Sequence, residues 1–136
     1  MAAKFTKLGM QKMMEYYFKA GTAPTSFAIG LSGTAFTQDS TVASGEPSGN
    51  GYAQISLTRD ATGFPDSAYV TDGWEVGIQH DRVFTASGGA WSACVNMFMV
   101  DNAGNLICWW DLAATRTLQN GDSDTVNATI RLQANS

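Results

Sequence analysis

Apolar positions near the start of the chain recur with the period of a helix. Met10, Met13, Met14, Tyr17 and Phe18 follow the i, i+3, i+4, i+7, i+8 spacing of a helix face that docks on something. Glu15 and Lys19 stand four apart in the favourable order. Gly21 supplies a stop, and Pro24 follows it. The pattern predicts a helix over residues 4–20. Methionine and aromatic side chains on such a stripe point to packing, against the sheet of the same chain or against a neighbouring subunit.

After the helix the period changes to two. Ser26–Leu31 reads as a strand, and in 52–58 the residues Ala53, Ile55 and Leu57 form the face to be buried. Between them lies a stretch of about 20 residues, 32–51, with the glycines, prolines and hydroxyls of a loop. Its length is unusual for a compact domain and suggests an interaction arm or a surface flap. Short strands are predicted at Tyr69-Val70, at 74–78 and at 83–85. The clearest hairpin joins 91–101 to 105–112 through Asn102-Ala103-Gly104. Both faces of its first strand are apolar, with Val95, Met97 and Met99 on one and Cys94, Phe98 and Val100 on the other, as in a strand covered on both sides. Val126, Ala128, Ile130 and Leu132 alternate with polar residues in a half-buried last strand. Seven to nine short strands separated by turns predict a mainly β, single-domain β-sandwich or jelly-roll-like fold. An N-terminal amphipathic helix (1–21) precedes the β-sandwich domain (22–136).

The hairpin also decides the state of the two cysteines. Pairing about the turn at 102–104 sets Cys94 opposite Leu112 and Cys108 opposite Phe98. Four residues out of register is about 13 Å along a strand, and a disulfide needs Cα atoms within roughly 7 Å. Both are predicted to be free thiols, which fits assembly in a reducing cytoplasm.

Composition narrows the partners. The chain has 136 residues, 44% of them hydrophobic and 15% charged, against roughly 25% charged in an average domain. A net charge of −4 argues against nucleic acid, which needs clustered Lys and Arg. All four lysines lie within residues 4–19, so a basic helix precedes an acidic body. No apolar run approaches the roughly 18–20 residues of a membrane span, and the N-terminus lacks the continuous apolar region of a secretory signal. Asn127-Ala128-Thr129 matches a glycosylation sequon, which without export reads as strand.

Candidate chemistry is sparse. His80-Asp81 lacks the nucleophile elbow a hydrolytic triad would need. Asp122-Ser123-Asp124 lacks the glycine and glutamate that complete a calcium loop. A zinc site needs more cysteine and histidine than the chain holds. Asp72, Glu75, Asp101 and Asp111 are the carboxylates available for glycosidase-type acid and base roles, and the sequence does not pair them. No phosphate-cradling glycine loop occurs. Trp74, Trp91, Trp109 and Trp110 suit a core, an interface or a carbohydrate platform alike, and the adjacent Trp109 and Trp110 must point to opposite faces of a strand. No catalytic, cofactor-binding or metal residues are predicted. The candidate interface is Met10, Met13, Met14, Tyr17, Phe18, Trp91, Trp109 and Trp110.

The order of segments resembles a known family. An amphipathic helix leads into Gly21-Thr22-Ala23-Pro24-Thr25 and the strand Phe27-Ala28-Ile29-Gly30-Leu31; a glycine-rich loop ends in Gly49-Asn50-Gly51-Tyr52-Ala53. Phe84-Thr85-Ala86-Ser87-Gly88-Gly89-Ala90-Trp91 and the hairpin follow, then Arg116-Thr117-Leu118-Gln119-Asn120-Gly121-Asp122 before the last strand. This resembles short virion proteins of tailed phages, often labelled tail-fibre proteins; the chain departs at Asn96-Met97-Phe98-Met99-Val100, where the family strand carries more glycine and aromatic residues. The resemblance implies a non-enzymatic virion protein assembled in the host cytoplasm. One compact domain without fibre repeats, with a long loop and a basic helix for docking, favours a capsid decoration (cement) protein. It would act as a homo-oligomer, a trimer by analogy, on the major capsid protein or other virion proteins. The alternatives are a tail-fibre or baseplate component that contacts the host, and a carbohydrate-binding module.

Overall fold

A computed structural model describes residues 3–79 and 82–133. Strand β1 (Lys4–Phe5) precedes the helix α1 (Lys7–Phe18). The strands β2 (Ser26–Ser32), β3 (Ile55–Thr58), β4 (Ala68–Val70), β5 (Gly73–Gly77) and β6 (Val83–Thr85) follow. The last four are β7 (Cys94–Asp101), β8 (Leu106–Arg116), β9 (Ser123–Thr125) and β10 (Thr129–Gln133). The fold is mainly β and sandwich-like. One layer is an antiparallel sheet in the order β1-β8-β7-β2-β3, and the other is two smaller antiparallel sheets, β10-β5-β4 and β6-β9.

The predicted helix loses its first turn. Lys4 and Phe5 are extended and pair with Trp109 and Cys108, because Phe5 packs against the core there. Thr6 then caps the helix, its hydroxyl accepting from the Gly9 N–H at 2.8 Å and donating to the Leu106 carbonyl at 2.6 Å. One fully buried side chain therefore starts the helix and ties it to β8. Gly9 lets the two backbones touch: a Cβ there would lie 2.1 Å from the Ile107 carbonyl oxygen. In this chain the helix rests on its own sheet.

The core lies between the layers. Ile29, Leu31, Ile55, Leu57, Met97, Met99 and Trp110 meet Ile78, Phe84, Trp91, Leu118, Val126 and Ala128 from the opposite side. Trp110 also donates its indole N–H across the gap to the Thr129 carbonyl at 2.8 Å. The second apolar face of the large sheet carries Phe98, Val100, Leu106 and Trp109. It is covered by the long loop, whose Phe36 lies edge-on to Phe98 at 5.9 Å and to Trp109 at 6.4 Å. The loop is pinned by Gly33 N–H to Gly45 carbonyl (2.9 Å), by Leu106 N–H to Thr41 carbonyl (2.9 Å) and by the buried Asn96 amide donating to the Thr34 carbonyl. It is a lid on the sheet: of the two expected readings the surface flap describes it, and the interaction arm gives way, because β7 and β8 are apolar on both faces and need a second cover.

The hairpin register also differs from expectation by one residue. Met97 faces Trp110, Phe98 faces Trp109 and Met99 faces Cys108. Irregularities between Cys94 and Asn96 and between Met99 and Val100 reset the alternation. The first moves Cys94 onto the same core face as Met97 and Met99. Cys94 then faces Arg116, and both cysteines are free and buried. Asp101 holds the turn, its carboxylate accepting from the Ala103 and Asn105 N–H groups at 3.0 and 2.9 Å and from the Asn105 amide at 2.9 Å.

Candidate interface

The eight candidate interface residues separate into two groups. Trp91, Trp109 and Trp110 are interior, at 4, 6 and 0% exposed. Each indole N–H has a partner inside the fold: Asn50 carbonyl for Trp91 (2.8 Å), Asp111 carboxylate for Trp109 (3.2 Å) and Thr129 carbonyl for Trp110. The carbohydrate reading drew on these three and on Trp74; in this fold the three offer no surface, and Trp74 alone of the four is exposed. Trp109 and Trp110 do point to opposite faces, but the loop covers the outer one. Met10, Met14, Tyr17 and Phe18 are exposed, Tyr17 at 82% and Phe18 at 68%, and the two rings meet edge-on at 4.9 Å. Met13 is half-buried and turns toward the body.

What it turns toward is an open apolar groove of about 480 Å³. Met13 and Tyr17 form one wall, Trp74 and Leu132 the other, and Phe27 and Ile107 lie among the lining residues. Strand alternation explains the far wall. In the small sheet Tyr69, Trp74 and Leu132 stand directly opposite one another across three strands, and all three are exposed, Trp74 at 55%. Val76 and Ile130 continue the same face into the groove. The groove takes in Met13 and Tyr17 of the helix and Trp74 and Leu132 of the sheet, while Met10, Met14, Phe18 and Tyr69 are exposed outside its lining. Trp74 is not among the eight candidates; it lies on β5 beside β4, a three-residue edge strand that is exposed throughout.

The polar residues serve the fold. Asp72 holds Arg131 and the Gln133 amide, Asp111 holds Lys4, and Asp101 holds the hairpin turn. Asp122 accepts from the Gln119 N–H at 3.0 Å, and Asp124 faces Arg116 at 4.0 Å. Among the described residues no three His, Cys, Asp or Glu side chains converge as metal ligands would. His80 and Asp81 lie outside the described residues. Burial pushes the thiols of Cys94 and Cys108 up, so both stay protonated and are poor nucleophiles. Burial, and next the hydrogen bond to Glu46, push the Tyr52 phenol up. Its oxygen accepts from the Leu31 N–H at 3.0 Å and donates to Glu46 at 2.6 Å. Among the described residues no helix is long and apolar enough to cross a membrane.

A sandwich whose polar side chains are engaged in holding loops and turns, and whose open apolar surface runs along one side, has the features of a structural protein. The chain belongs to a family of short-tailed phage virion proteins: the family described as podophage GP4 fiber I protein gp80 matches residues 4–132. A comparison with curated proteins returns no match.

Proposed function

We propose that the protein is a non-enzymatic building part of a virion fibre, joined to other virion proteins through its exposed apolar surface and assembled in the host cytoplasm. The family match over residues 4–132 carries this reading, because that family is described by its fibre. The sequence alone favoured a capsid decoration protein, partly on the strength of a long loop free to dock. That loop lies on the protein's own sheet, with Phe36 buried at its centre, which removes that support. The helix ridge and groove remain as the surface available for assembly.

Copy number decides between fibre and shell. Quantitative mass spectrometry of purified particles, scaled to the major capsid protein, is expected to give a few copies to a few dozen per particle, with loss on mechanical or chemical removal of the tail. Hundreds of copies retained by tailless capsids would overturn the fibre reading in favour of decoration.

A further inference from the structure

We infer that the groove receives an amphipathic helix of another virion protein, one whose apolar stripe is flanked by carboxylates. This names the partner chemistry for the surface on which the proposed function relies, and rests on that reading only for where in the particle the partner is found.

The lining sets the first requirement. The walls are largely apolar side chains, Met13 and Tyr17 from the helix and Trp74, Val76, Ile130 and Leu132 from the sheet. Trp74 faces Leu132 and Val76 faces Ile130 across the β5–β10 pair, so this wall is a sheet face and offers no strand edge. An extended segment laid there would press its own N–H and C=O groups against apolar side chains, unpaired and at a cost comparable to lost hydrogen bonds. A helix arrives with its backbone bonds already made and presents side chains at every contact.

Charge sets the second requirement. Two charged side chains line the groove, Lys12 and Arg59, and both are positive. Neither has an ion-pair partner among the described residues. Arg59 is held in place, one guanidinium nitrogen donating to the Pro24 carbonyl at 3.0 Å, and the rest of its fork has donors for an acid. Lys12 is half-buried on the helix wall, next to Met13. Asp or Glu flanking the entering stripe meets these two cations with charge-assisted hydrogen bonds. The same charges count against a second copy of this chain. Among the described residues α1 is the only helix, and it holds Lys7 and Lys12, with Lys19 at its end, against Glu15. Seated in a neighbour's groove it would set lysines against Lys12 and Arg59.

Photo-cross-linking in intact particles tests this. A benzophenone amino acid takes the place of Trp74 in the groove or, as a control, of Val42, which is exposed outside the groove's lining. The segment joined at position 74 is expected to come from a different virion protein. It should carry apolar residues at i, i+3 or i+4 and i+7, with more Asp and Glu than Lys and Arg. A synthetic copy of that segment should bind the purified full-length chain and shift the fluorescence of Trp74, and Trp74→Phe should remove the shift. Lys12→Glu and Arg59→Glu should each weaken binding about tenfold or more, and added salt should weaken it in the wild type. The Lys12 side chain makes no hydrogen bond or ion pair among the described residues, so Lys12→Glu stays decisive if Arg59→Glu disturbs the fold at Pro24. A product with a second copy, with lipid or with a predominantly basic segment would overturn the inference, as would no product at position 74 or the same product at position 42. Binding indifferent to both charge variants would overturn it as well. An acidic helix of the major capsid protein captured at position 74 would uphold the docking and count against the fibre reading, which keeps the two failures apart.

Discussion

The five-stranded and three-stranded sheets of this protein use similar side chains to opposite ends. In the large sheet β7 and β8 are apolar on both faces and both faces are covered, one by the second layer and one by the long loop, so Trp109 and Trp110 are interior. In the small sheet the row Tyr69–Trp74–Leu132 looks across a groove to the helix and stays half open. Residue type does not distinguish these cases. What distinguishes them is whether the chain supplies a cover. Residues 32–51 fold back over the large sheet, whereas α1 is seated on β8 and closes only one side of the groove. The first arrangement gives stability, and the second leaves apolar surface for assembly.

The comparison is most sharply tested at Trp110. It is fully buried, spans the gap between layers and donates to the Thr129 carbonyl. Trp110→Ala removes that bulk and leaves a buried carbonyl without its donor, at a cost of about 3–5 kcal/mol. A domain with 5–15 kcal/mol in all should lose roughly 10–20 °C in melting temperature, read by thermal denaturation. A loss of only a degree or two would mean the layers are not held together there.

Gly9→Ala is next. Alanine favours the helix by about 1 kcal/mol over glycine, and a substitution that only fed helix propensity would raise the melting temperature. Here the new Cβ meets the Ile107 backbone at 2.1–2.9 Å, and backbone cannot swing aside as a flexible side chain can. Displacing the helix should cost about 1–3 kcal/mol and outweigh the propensity gain, so the melting temperature should fall. A rise would show that helix and sheet are not in contact at this point.

Alkaline pH should act on the sealed layer as well. The folded chain holds the Tyr52 proton that the unfolded chain releases near pH 10, and holds the Cys94 and Cys108 protons that the unfolded chain releases near 8.5. In each case the folded state binds more protons above those values, so stability is full below them and falls as pH rises through them. Melting temperature against pH should therefore slope down from about 8.5 and steepen past 10. Tyr52→Phe should reduce the steepening to the smaller part that Tyr16 supplies, whose phenol burial also pushes up, and keep the earlier slope. A variant as steep as the wild type above pH 10 would assign the effect to other groups.

Much of this fold is legible in the residues. The alternation at Ile55–Leu57 and at Val126–Ala128 identifies buried positions, and the stripe Met10–Phe18 identifies the helix, though not that most of the stripe stands clear of its own sheet. Three things are not legible, each for a physical reason. The hairpin register turns on irregularities beside Val95 and at Ile107, and a slip of one residue costs nothing in a strand that is apolar on both faces. The loop 32–51 has a polar composition, and its one large anchor, Phe36, marks no period. The division of the tryptophans depends on where covers fall, which is long-range. Thr6 is legible in principle as a helix cap, but no break in composition between Lys4 and Met10 marks it as the first residue of the helix.

The smallest expected effect is at Trp74. Trp74→Ala removes a side chain as large as that of Trp110, but one that is 55% exposed and whose indole N–H reaches only the exposed Ser67 hydroxyl. The transfer of a half-exposed ring into water and the loss of one surface hydrogen bond should cost the folded monomer below about 1 kcal/mol, measured by urea denaturation. A large loss would show instead that the groove wall supports its own chain, and the contrast between the two sheets would fail.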